Sequence, residues 1–281
     1  MLVNSKKMLL DARSQYKVVY QFNINNLEWT KIILEKCNKM NTPVILGASL
    51  GAIKYMGGFS TVANLVKSLI KDLNITIPVC LHLDHGDTFE NCQKAIDAGF
   101  SSVMIDASRL NFEENIKETK KVVDYAHARD ITTEAELGHV GGIEDDVASN
   151  ILVANYEECL KFVKETGIDS FTPAIGTVHG IYKGEVNIQY DLIKKLRDNL
   201  DIPLVMHGGS GLSHDILRKA IKCGISKINV NSDIQYIWME AVKKFIKENP
   251  QVYDPRKIIY SGSDAMEKFI EEKINILNNN K

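Results

Sequence analysis

Short runs rich in β-branched residues recur eight times along the chain, and segments with the apolar spacing of amphipathic helices separate them. The predicted strands cover residues 17–22, 43–49, 78–84, 102–106, 131–137, 170–175, 203–207 and 227–231. Strands that alternate with helices form right-handed βαβ units and a parallel sheet. Eight such units in 281 residues predict a single α/β domain over residues 1–281, a (β/α)8 TIM barrel, with an open doubly wound sheet as the alternative.

The charge and cysteine content of the chain narrow its environment and its partners. The 34 basic and 36 acidic residues nearly cancel, so no strong field favours nucleic acid or an anionic membrane surface. The sequence shows neither a signal-peptide pattern nor an apolar stretch of about 18 residues. Its five cysteines are scattered and odd in number, which argues against a disulfide framework and a cysteine zinc site. We therefore expect a soluble, cytoplasmic protein whose partner is a small molecule.

Polar side chains gather at the carboxyl ends of the predicted strands. The residues at or just after these ends are Ser49, Asp84, His85, Asp106, Glu134, Glu136, His179, His207, Asn229 and Asn231. In a barrel of parallel strands these ends converge on one face, where the chemistry takes place. The sequence therefore predicts one active site, assembled from most of the strands.

Three of these residues are histidines, namely His85, His179 and His207. A lone histidine is usually a hydrogen-bonded structural residue, but three imidazoles that leave one coordination position open are a common catalytic zinc site. Asp84 and His85 are neighbours, and in an ideal strand they would face opposite sides of the sheet. We therefore expect the third strand to stop or twist at Asp84.

The seventh predicted strand runs directly into the glycine-rich segment 207–211, HGGSG. Glycines let backbone N–H groups approach an anion closely, and Ser210 adds a hydroxyl group. The loops after strands 7 and 8 are the usual phosphate site of such barrels, so residues 229–232, after strand 8, are predicted to form the rest of a phosphate site. The alternative is that the glycines only form a tight turn.

Seven sequence motifs surround these residues, and their combination is highly specific. They are QFNINNLE (21–28), HLDHG (82–86), SVMIDAS (102–108), EAELGHVGGIEDD (134–146), GTVHGIYKGE (176–185), HGGSG (207–211) and KINVNSD (227–233). With them the chain resembles the class II, zinc-dependent fructose-bisphosphate aldolases over nearly its whole length. The resemblance implies a lyase of glycolysis and gluconeogenesis that reversibly cleaves fructose 1,6-bisphosphate into dihydroxyacetone phosphate and glyceraldehyde 3-phosphate, through an enediolate stabilised by zinc.

The resemblance also implies a role for each polar strand end. His85, His179 and His207 hold the catalytic zinc, and Asp106 and Glu136 serve an alternative or second metal position. The residues implied to bind the dihydroxyacetone phosphate half of the substrate are Ser49, Gly180, Gly208, Gly209, Ser210, Asn229, Val230, Asn231 and Ser232. A monovalent cation, Na+ or K+, is implied near the phosphate loop, and a homodimer or higher homo-oligomer is expected.

Proton transfer and the second phosphate call for further charged groups. The resemblance implies that Asp84 moves the proton of the C4 hydroxyl and that Glu144 acts on the ketone-side carbon. Lys183 and Arg256 are candidates for binding the second phosphate. Because Arg256 lies far along the chain, we expect it to reach in from late helical structure or from a neighbouring subunit.

Several alternatives stay open. Ser232-Asp233 stands where the family commonly has threonine and glutamate, and Arg109, interpreted as a surface difference, stands where histidine is usual. An aldolase for tagatose 1,6-bisphosphate or another ketose bisphosphate is the nearest alternative, followed by a metal-dependent hydrolase and a phosphosugar sensor without turnover. An imine-forming aldolase needs a buried lysine at a strand end, whereas Lys227 opens the last predicted strand at its opposite end.

Overall fold

The computed structural model describes residues 2–144, 147–149, 152–180 and 186–277. In chain order its strands are β1 (Val19–Asn23), β2 (Val44–Ser49), β3 (Val79–Gly86), β4 (Ser102–Ile105), β5 (Thr132–Leu137), β6 (Gly141–Glu144), β7 (Val147–Ser149), β8 (Ser170–Pro173), β9 (Val178–His179), β10 (Leu204–Met206) and β11 (Ile225–Val230). Eight of them close a parallel barrel in the order β1-β2-β3-β4-β5-β8-β10-β11. The predicted TIM barrel is confirmed, and each barrel strand lies within three residues of its predicted limits.

Helices connect the barrel strands. They are α1 (Lys6–Ser14), α2 (Leu27–Lys39), α3 (Leu50–Tyr55), α4 (Phe59–Asp72), α5 (Phe89–Ala98), α6 (Phe112–His127), α7 (Tyr156–Thr166), α8 (Tyr190–Asn199), α9 (His214–Cys223), α10 (Ser232–Glu248), α11 (Pro255–Tyr260) and α12 (Ser263–Ile274). Side-chain oxygens cap several of their amino ends, as Asn26 does for α2 and Ser213 for α9. In the described part of the chain, no helix is both long enough and apolar enough to cross a membrane.

The buried side chains inside the barrel change from apolar to more polar along its axis. Helix α1 packs against the amino ends of the first strands in an apolar layer. The side chains of this layer are Met8, Leu9, Ala12, Val19, Ile45 and Cys80. Further along the strands the buried side chains are polar, and they include Gln21, His82, Glu134 and Lys227. The polar groups are therefore concentrated in the part of the barrel that leads to the carboxyl ends of the strands.

A small second sheet was not predicted. Strand β6 pairs antiparallel with β7 and parallel with β9, and it places Gly142 opposite His179. These strands belong to the segments that follow β5 and β8. His179 therefore lies on a short strand of its own rather than at the end of a barrel strand.

Candidate functional site

Strand β3 delivers Asp84 and His85 to the site through a distorted backbone. The strand runs to Gly86, so the prediction that it stops at Asp84 is wrong. Instead, His85 has a φ of 49° and the register with β4 shifts between Leu83 and Gly86. A left-handed residue breaks the alternation of side chains, at a cost of about 1 kcal/mol or more. The predicted twist at Asp84 is thus present, but as an irregularity within the strand.

The structure brings His85, His179 and His207 together. Each offers a ring nitrogen within 4.8 Å of the other two. The closest pair is His207 Nδ1 and His85 Nε2, which are 2.9 Å apart. The ring centroid of His179 lies 5.1 Å from that of His85 and 5.7 Å from that of His207.

Two carboxylates orient two of these three rings, those of His85 and His207. Asp106 Oδ2 lies 2.8 Å from His85 Nδ1, and Glu134 Oε1 lies 2.9 Å from His207 Nε2. Because a carboxylate accepts these N–H groups, the lone pairs of His85 Nε2 and His207 Nδ1 face each other. Two lone pairs at this distance repel unless a cation or a proton lies between them. The residues present therefore fit a zinc ion, for which neutral imidazoles are common ligands.

A second group of possible ligands adjoins the first. His85, Asp106 and Glu136 also offer atoms within 4.8 Å of one another. Burial alone would raise the pKa of Asp106, but hydrogen bonds from His85 and Ser108 outweigh it and hold the pKa below its usual value. Glu136 is buried, and its Oε1 accepts the backbone N–H of Val140 at 3.1 Å. Two anionic oxygens beside an imidazole suit a divalent cation, as expected for the second metal position.

Asp84 is held by amide side chains from β1 and β11, which reach it across the inside of the barrel. Asn23 Nδ2 donates to its Oδ2 at 2.8 Å, and Asn229 Nδ2 donates to its Oδ1 at 3.3 Å. Gln21 Nε2 donates in turn to Asn23 Oδ1 at 3.0 Å. Sequence reasoning missed Gln21 and Asn23, although two amides at alternate positions of a buried strand mark an inward-facing polar pair.

The glycine-rich loop packs tightly against its neighbours. Gly208 has a φ of 68°, and a Cβ there would lie 2.3 Å from the backbone oxygen of Val178. A Cβ on Gly209 would lie 2.5 Å from Ile228 Cγ2. The tight turn and the phosphate loop are thus not alternatives, because the glycines are needed for the turn that presents the loop.

The loop is joined to the amino end of α10. Ser210 Oγ accepts the backbone N–H groups of Asn231 at 3.3 Å and Asp233 at 3.4 Å. Gly211 donates its own N–H to both carboxylate oxygens of Asp233, at 2.9 and 3.0 Å. Ser232 is the first residue of the helix. Backbone N–H groups at a helix start attract anions, so residues 208–210 and 229–232 form one candidate phosphate site.

Three further residues that were predicted to bind substrate lie near the strand ends that form the site. Ser49 lies beside Asp84 in the register of β2 and β3, and its Oγ caps α3 by accepting Ala52 N–H at 3.2 Å. Gly180 follows His179 with a φ of 83°, and Val230 is buried at the end of β11.

The predicted charged groups are not all placed at the site. Arg256 is 89% exposed on α11 and pairs with Asp254, so within one chain it is not brought to the histidines. The backbone of Glu144 ends β6, but its side chain lies outside the described part of the structure, as does the whole of Lys183.

A cavity of about 790 Å³ opens beside the histidines. Its lining includes His85, His179, Asp106, Glu136 and Arg109. Arg109 is exposed, as predicted, but it lies at this cavity and not on a remote surface. The volume is typical of sites for small molecules.

A buried ion pair next to His207 was not predicted. Lys227 Nζ lies 2.6 Å from Glu134 Oε2, and each side chain is 1% exposed. Lys227 is the third residue of β11, so it does not open the strand, contrary to the prediction. Its backbone is level with Val19, the first residue of β1, and its long side chain extends inside towards the site. Burial raises the pKa of Glu134, and Lys227 and His207 more than reverse this, so the pKa lies well below its usual value. Burial, with the charge of Lys227, lowers the pKa of nearby His82 to about 3.

Comparison with known proteins places this geometry in a family. The family model described as "Fructose-bisphosphate aldolase class-II" matches residues 3–281. A fructose-bisphosphate aldolase of Geobacillus stearothermophilus is 53% identical over 274 residues, which are 97% of this chain and 96% of that protein. A fructose-bisphosphate aldolase of Staphylococcus aureus strain Mu50 is 50% identical with the same coverage.

Solved structures are similar over the same length. The YdjI aldolase of Escherichia coli K12 superposes with a TM-score of 0.86 at 31% identity, covering 98% of this chain and 97% of that chain. The fructose-bisphosphate aldolase of Campylobacter jejuni gives a TM-score of 0.82 at 26% identity, covering 99% and 95%.

Proposed function

The chain belongs to the class II fructose-bisphosphate aldolase family and is a lyase, and we propose that it reversibly cleaves fructose 1,6-bisphosphate into dihydroxyacetone phosphate and glyceraldehyde 3-phosphate. The observation that carries the proposal is the meeting of three imidazoles with buried Asp84, between β3 and the glycine-rich loop after β10. The proposed metal ligands, the proposed proton carrier and the proposed phosphate loop thus lie at one end of the barrel. Cytoplasmic glycolysis is the proposed setting.

His85, His179 and His207 are the proposed zinc ligands. A zinc ion bound there supplies a Lewis acid, which stabilises negative charge on the ketone half by several kcal/mol. Asp106 and Glu136, together with His85, are the proposed ligands of an alternative or second divalent ion. A monovalent cation, Na+ or K+, beside the phosphate loop belongs to the proposal on the strength of the family resemblance.

Two carboxylates are proposed to move protons. Asp84 takes the proton of the C4 hydroxyl during cleavage and returns it to the aldehyde oxygen during condensation. Its hydrogen bonds to Asn23 and Asn229 hold the carboxylate in one orientation, which general base catalysis requires. Glu144 is the proposed base at the ketone-side carbon, since β6 runs alongside His179.

The two phosphate groups bind at different places in this proposal. The ketone-side phosphate is proposed to bind at the loop of residues 208–210 and at residues 229–232, with Ser49 and Gly180 also in the site. Lys183 and Arg256 are proposed for the second phosphate. Arg256 would then act from a neighbouring subunit, which is why a homodimer is part of the proposal.

An imine mechanism has little support. The only lysine known to lie inside the barrel among the described residues is Lys227, and its amine is paired with Glu134 and 1% exposed. A nucleophilic lysine must be reachable by the substrate, whereas the amine of Lys227 is buried and held by Glu134.

Chelation tests the proposed mechanism. Cleavage of fructose 1,6-bisphosphate is measured with EDTA, after zinc is added back, and after treatment with borohydride plus substrate. We expect EDTA to abolish cleavage, zinc to restore it, and borohydride to have no effect. Activity that survives chelation, or covalent trapping by borohydride, would contradict the zinc mechanism.

Substrate comparison tests the assigned ketose. We expect faster cleavage of fructose 1,6-bisphosphate than of tagatose 1,6-bisphosphate, without release of inorganic phosphate. The reverse preference would make tagatose 1,6-bisphosphate the substrate, and phosphate release would indicate the metal-dependent hydrolase.

A further inference from the structure

The ion pair of Lys227 and Glu134 is connected to a proposed metal ligand. Glu134 Oε2 lies 2.6 Å from Lys227 Nζ and accepts the hydroxyl of Ser170 at 3.4 Å, whereas Oε1 lies 2.9 Å from His207 Nε2. Thr172 Oγ1 also donates to Oε1, at 3.0 Å. The three main members, Lys227, Glu134 and His207, are each 1% exposed.

The division of the two oxygens restricts the carboxylate to one orientation. Without Lys227, the only hydrogen bond to Oε2 from the described residues would be the longer one from Ser170, and the carboxylate could rotate more easily about its soft terminal torsion. With Oε2 held, Oε1 stays in position to accept the Nε2–H of His207. This favours the Nε2–H tautomer over the one in which Nε2 would accept from Asn229 Nδ2, 3.0 Å away. The lone pair of His207 Nδ1 then points to His85 Nε2, 2.9 Å away.

We propose that Lys227 is a positioning residue of the metal site, which acts through Glu134 to fix the orientation and the Nε2–H tautomer of His207. The inference rests on the proposed function, in which His207 binds zinc. It gives a role to a buried lysine that lies between the apolar end of the barrel and the proposed site.

A purely structural role explains the pair poorly. A buried ion pair is often no more stabilising than apolar side chains of the same volume. The neighbouring layer of this barrel is apolar, with Val19 and Cys80, so the interior here accepts such residues. His82 Nε2 is 4.0 Å from Glu134 Oε2, beyond hydrogen-bond distance, so it does not replace the lysine.

Zinc affinity tests the positioning role without relying on turnover. The zinc dissociation constant of the full-length protein is measured by competition with a chromogenic chelator. Outer partners of metal ligands typically change metal affinity by about 10–100-fold, and we expect a loss of that size for Lys227→Met. Lys227→Arg, which keeps the charge, should retain more affinity than Lys227→Met.

Lys36→Met is the matched control. Lys36 is also a largely buried lysine, with an 8% exposed side chain, and it pairs with Glu271 on α12, away from the histidines. We expect this variant to bind zinc like the wild type, even if its apo form unfolds at a lower temperature. Unchanged affinity in Lys227→Met, or an equal loss in Lys36→Met, would overturn the inference.

A second variant covers the case in which Lys227→Met does not fold. The double variant Glu134→Gln/Lys227→Met removes both charges and leaves an amide that can turn either end to His207. We expect weaker zinc binding and, in nitrogen NMR of the apo protein, a mixture of His207 tautomers where the wild type shows only Nε2–H. A double variant that folds with wild-type affinity and a single tautomer would contradict the proposal.

His207→Ala separates this inference from the proposed function. If His207→Ala binds zinc as tightly as the wild type, the proposed metal site itself is wrong. If His207→Ala loses zinc while Lys227→Met keeps it, the metal site stands and only the positioning role of Lys227 fails.

Discussion

At the scale of single residues, the site depends on two neighbours that face different partners. Asp84 is directed to the amides of Asn23 and Asn229, and His85 to Asp106 and His207. The left-handed backbone at His85 makes this possible, at a conformational cost that nearby contacts must offset. The proposed proton carrier and the proposed metal ligand therefore have separate sets of hydrogen bonds.

Replacing Asp84 tests this separation. We expect Asp84→Ala to lower the rate of cleavage by about 10²–10⁴-fold, the usual contribution of general acid–base catalysis. Zinc stoichiometry should stay at the wild-type value, as measured by metal analysis of the purified variant. Asp97→Ala, which removes a carboxylate hydrogen-bonded to Tyr125 on the outer helices, is the control. A variant with near wild-type turnover would remove Asp84 from the mechanism.

Sequence reasoning found the histidines but missed what holds them. His85 and His207 were predictable because each comes at or just after the end of a strand-like, largely apolar run. Lys227 was not, since its importance depends on a side chain that rises inside the barrel from the amino end to Glu134. That contact depends on the register of β11 against β1 and on barrel closure, and neither can be read from spacing along one strand.

At the scale of elements, the loop after β10 depends on glycine at Gly208. Its φ of 68° and the nearby oxygen of Val178 leave no room for a side chain. Gly167, at the end of α7, has a similar φ of 72°, but a Cβ there would meet nothing within 4 Å. The two glycines share the backbone conformation and differ in their surroundings.

This pair gives a controlled experiment on the loop. Gly208→Ala and Gly167→Ala should each lose about 1 kcal/mol or more of unfolding free energy from the unfavourable φ, measured by denaturant titration. Only Gly208→Ala should also lose kcat/KM for fructose 1,6-bisphosphate, by about tenfold or more, which is 1.4 kcal/mol of transition-state stabilisation. Equal catalytic losses in both variants would show that the crowding at Gly208 is irrelevant to the reaction.

The barrel strands were easier to predict than the short strands of the second sheet, β6, β7 and β9. Barrel strands such as β2, VILGAS, carry mainly apolar residues because both of their faces are buried. By contrast, β6, β7 and β9 have two to four residues each, too few for a periodic pattern, and the pairing of β6 with β9 joins segments distant in sequence. The limits of β3 were missed for a related reason, since its continuation to Gly86 depends on pairing with β4.

At the scale of the whole molecule, the barrel is apolar at one end and polar towards the other. Helix α1 packs Met8, Leu9 and Ala12 against the amino ends of the strands. The proposed ligands lie at the opposite end, in keeping with the division between stability and function in barrels of this kind. Lys227 and Glu134 lie between these regions, so they connect the structural end of the barrel to its reactive end.

Arg256 raises the question of whether one chain makes a complete site. Its side chain is 89% exposed and pairs with Asp254 at the start of the same helix, and an exposed pair of this kind exchanges partners at little cost. We expect Arg256→Ala to raise KM for fructose 1,6-bisphosphate by about tenfold or more, as for a lost hydrogen bond to a charged group. KM for fructose 1-phosphate, which lacks the second phosphate, should not change. Arg129→Ala is the control, because Arg129 is a 44% exposed arginine that pairs with Asp97.

Mixing subunits shows which chain supplies the arginine. An Arg256→Ala chain keeps Asp84, and an Asp84→Ala chain keeps Arg256. If Arg256 serves the neighbouring site, hybrids of the two chains contain one intact site, and cleavage of the bisphosphate at low concentration reappears on mixing. If Arg256 acts within its own chain, mixing restores nothing. An equal rise of KM for both substrates would instead contradict any role of Arg256 at the second phosphate.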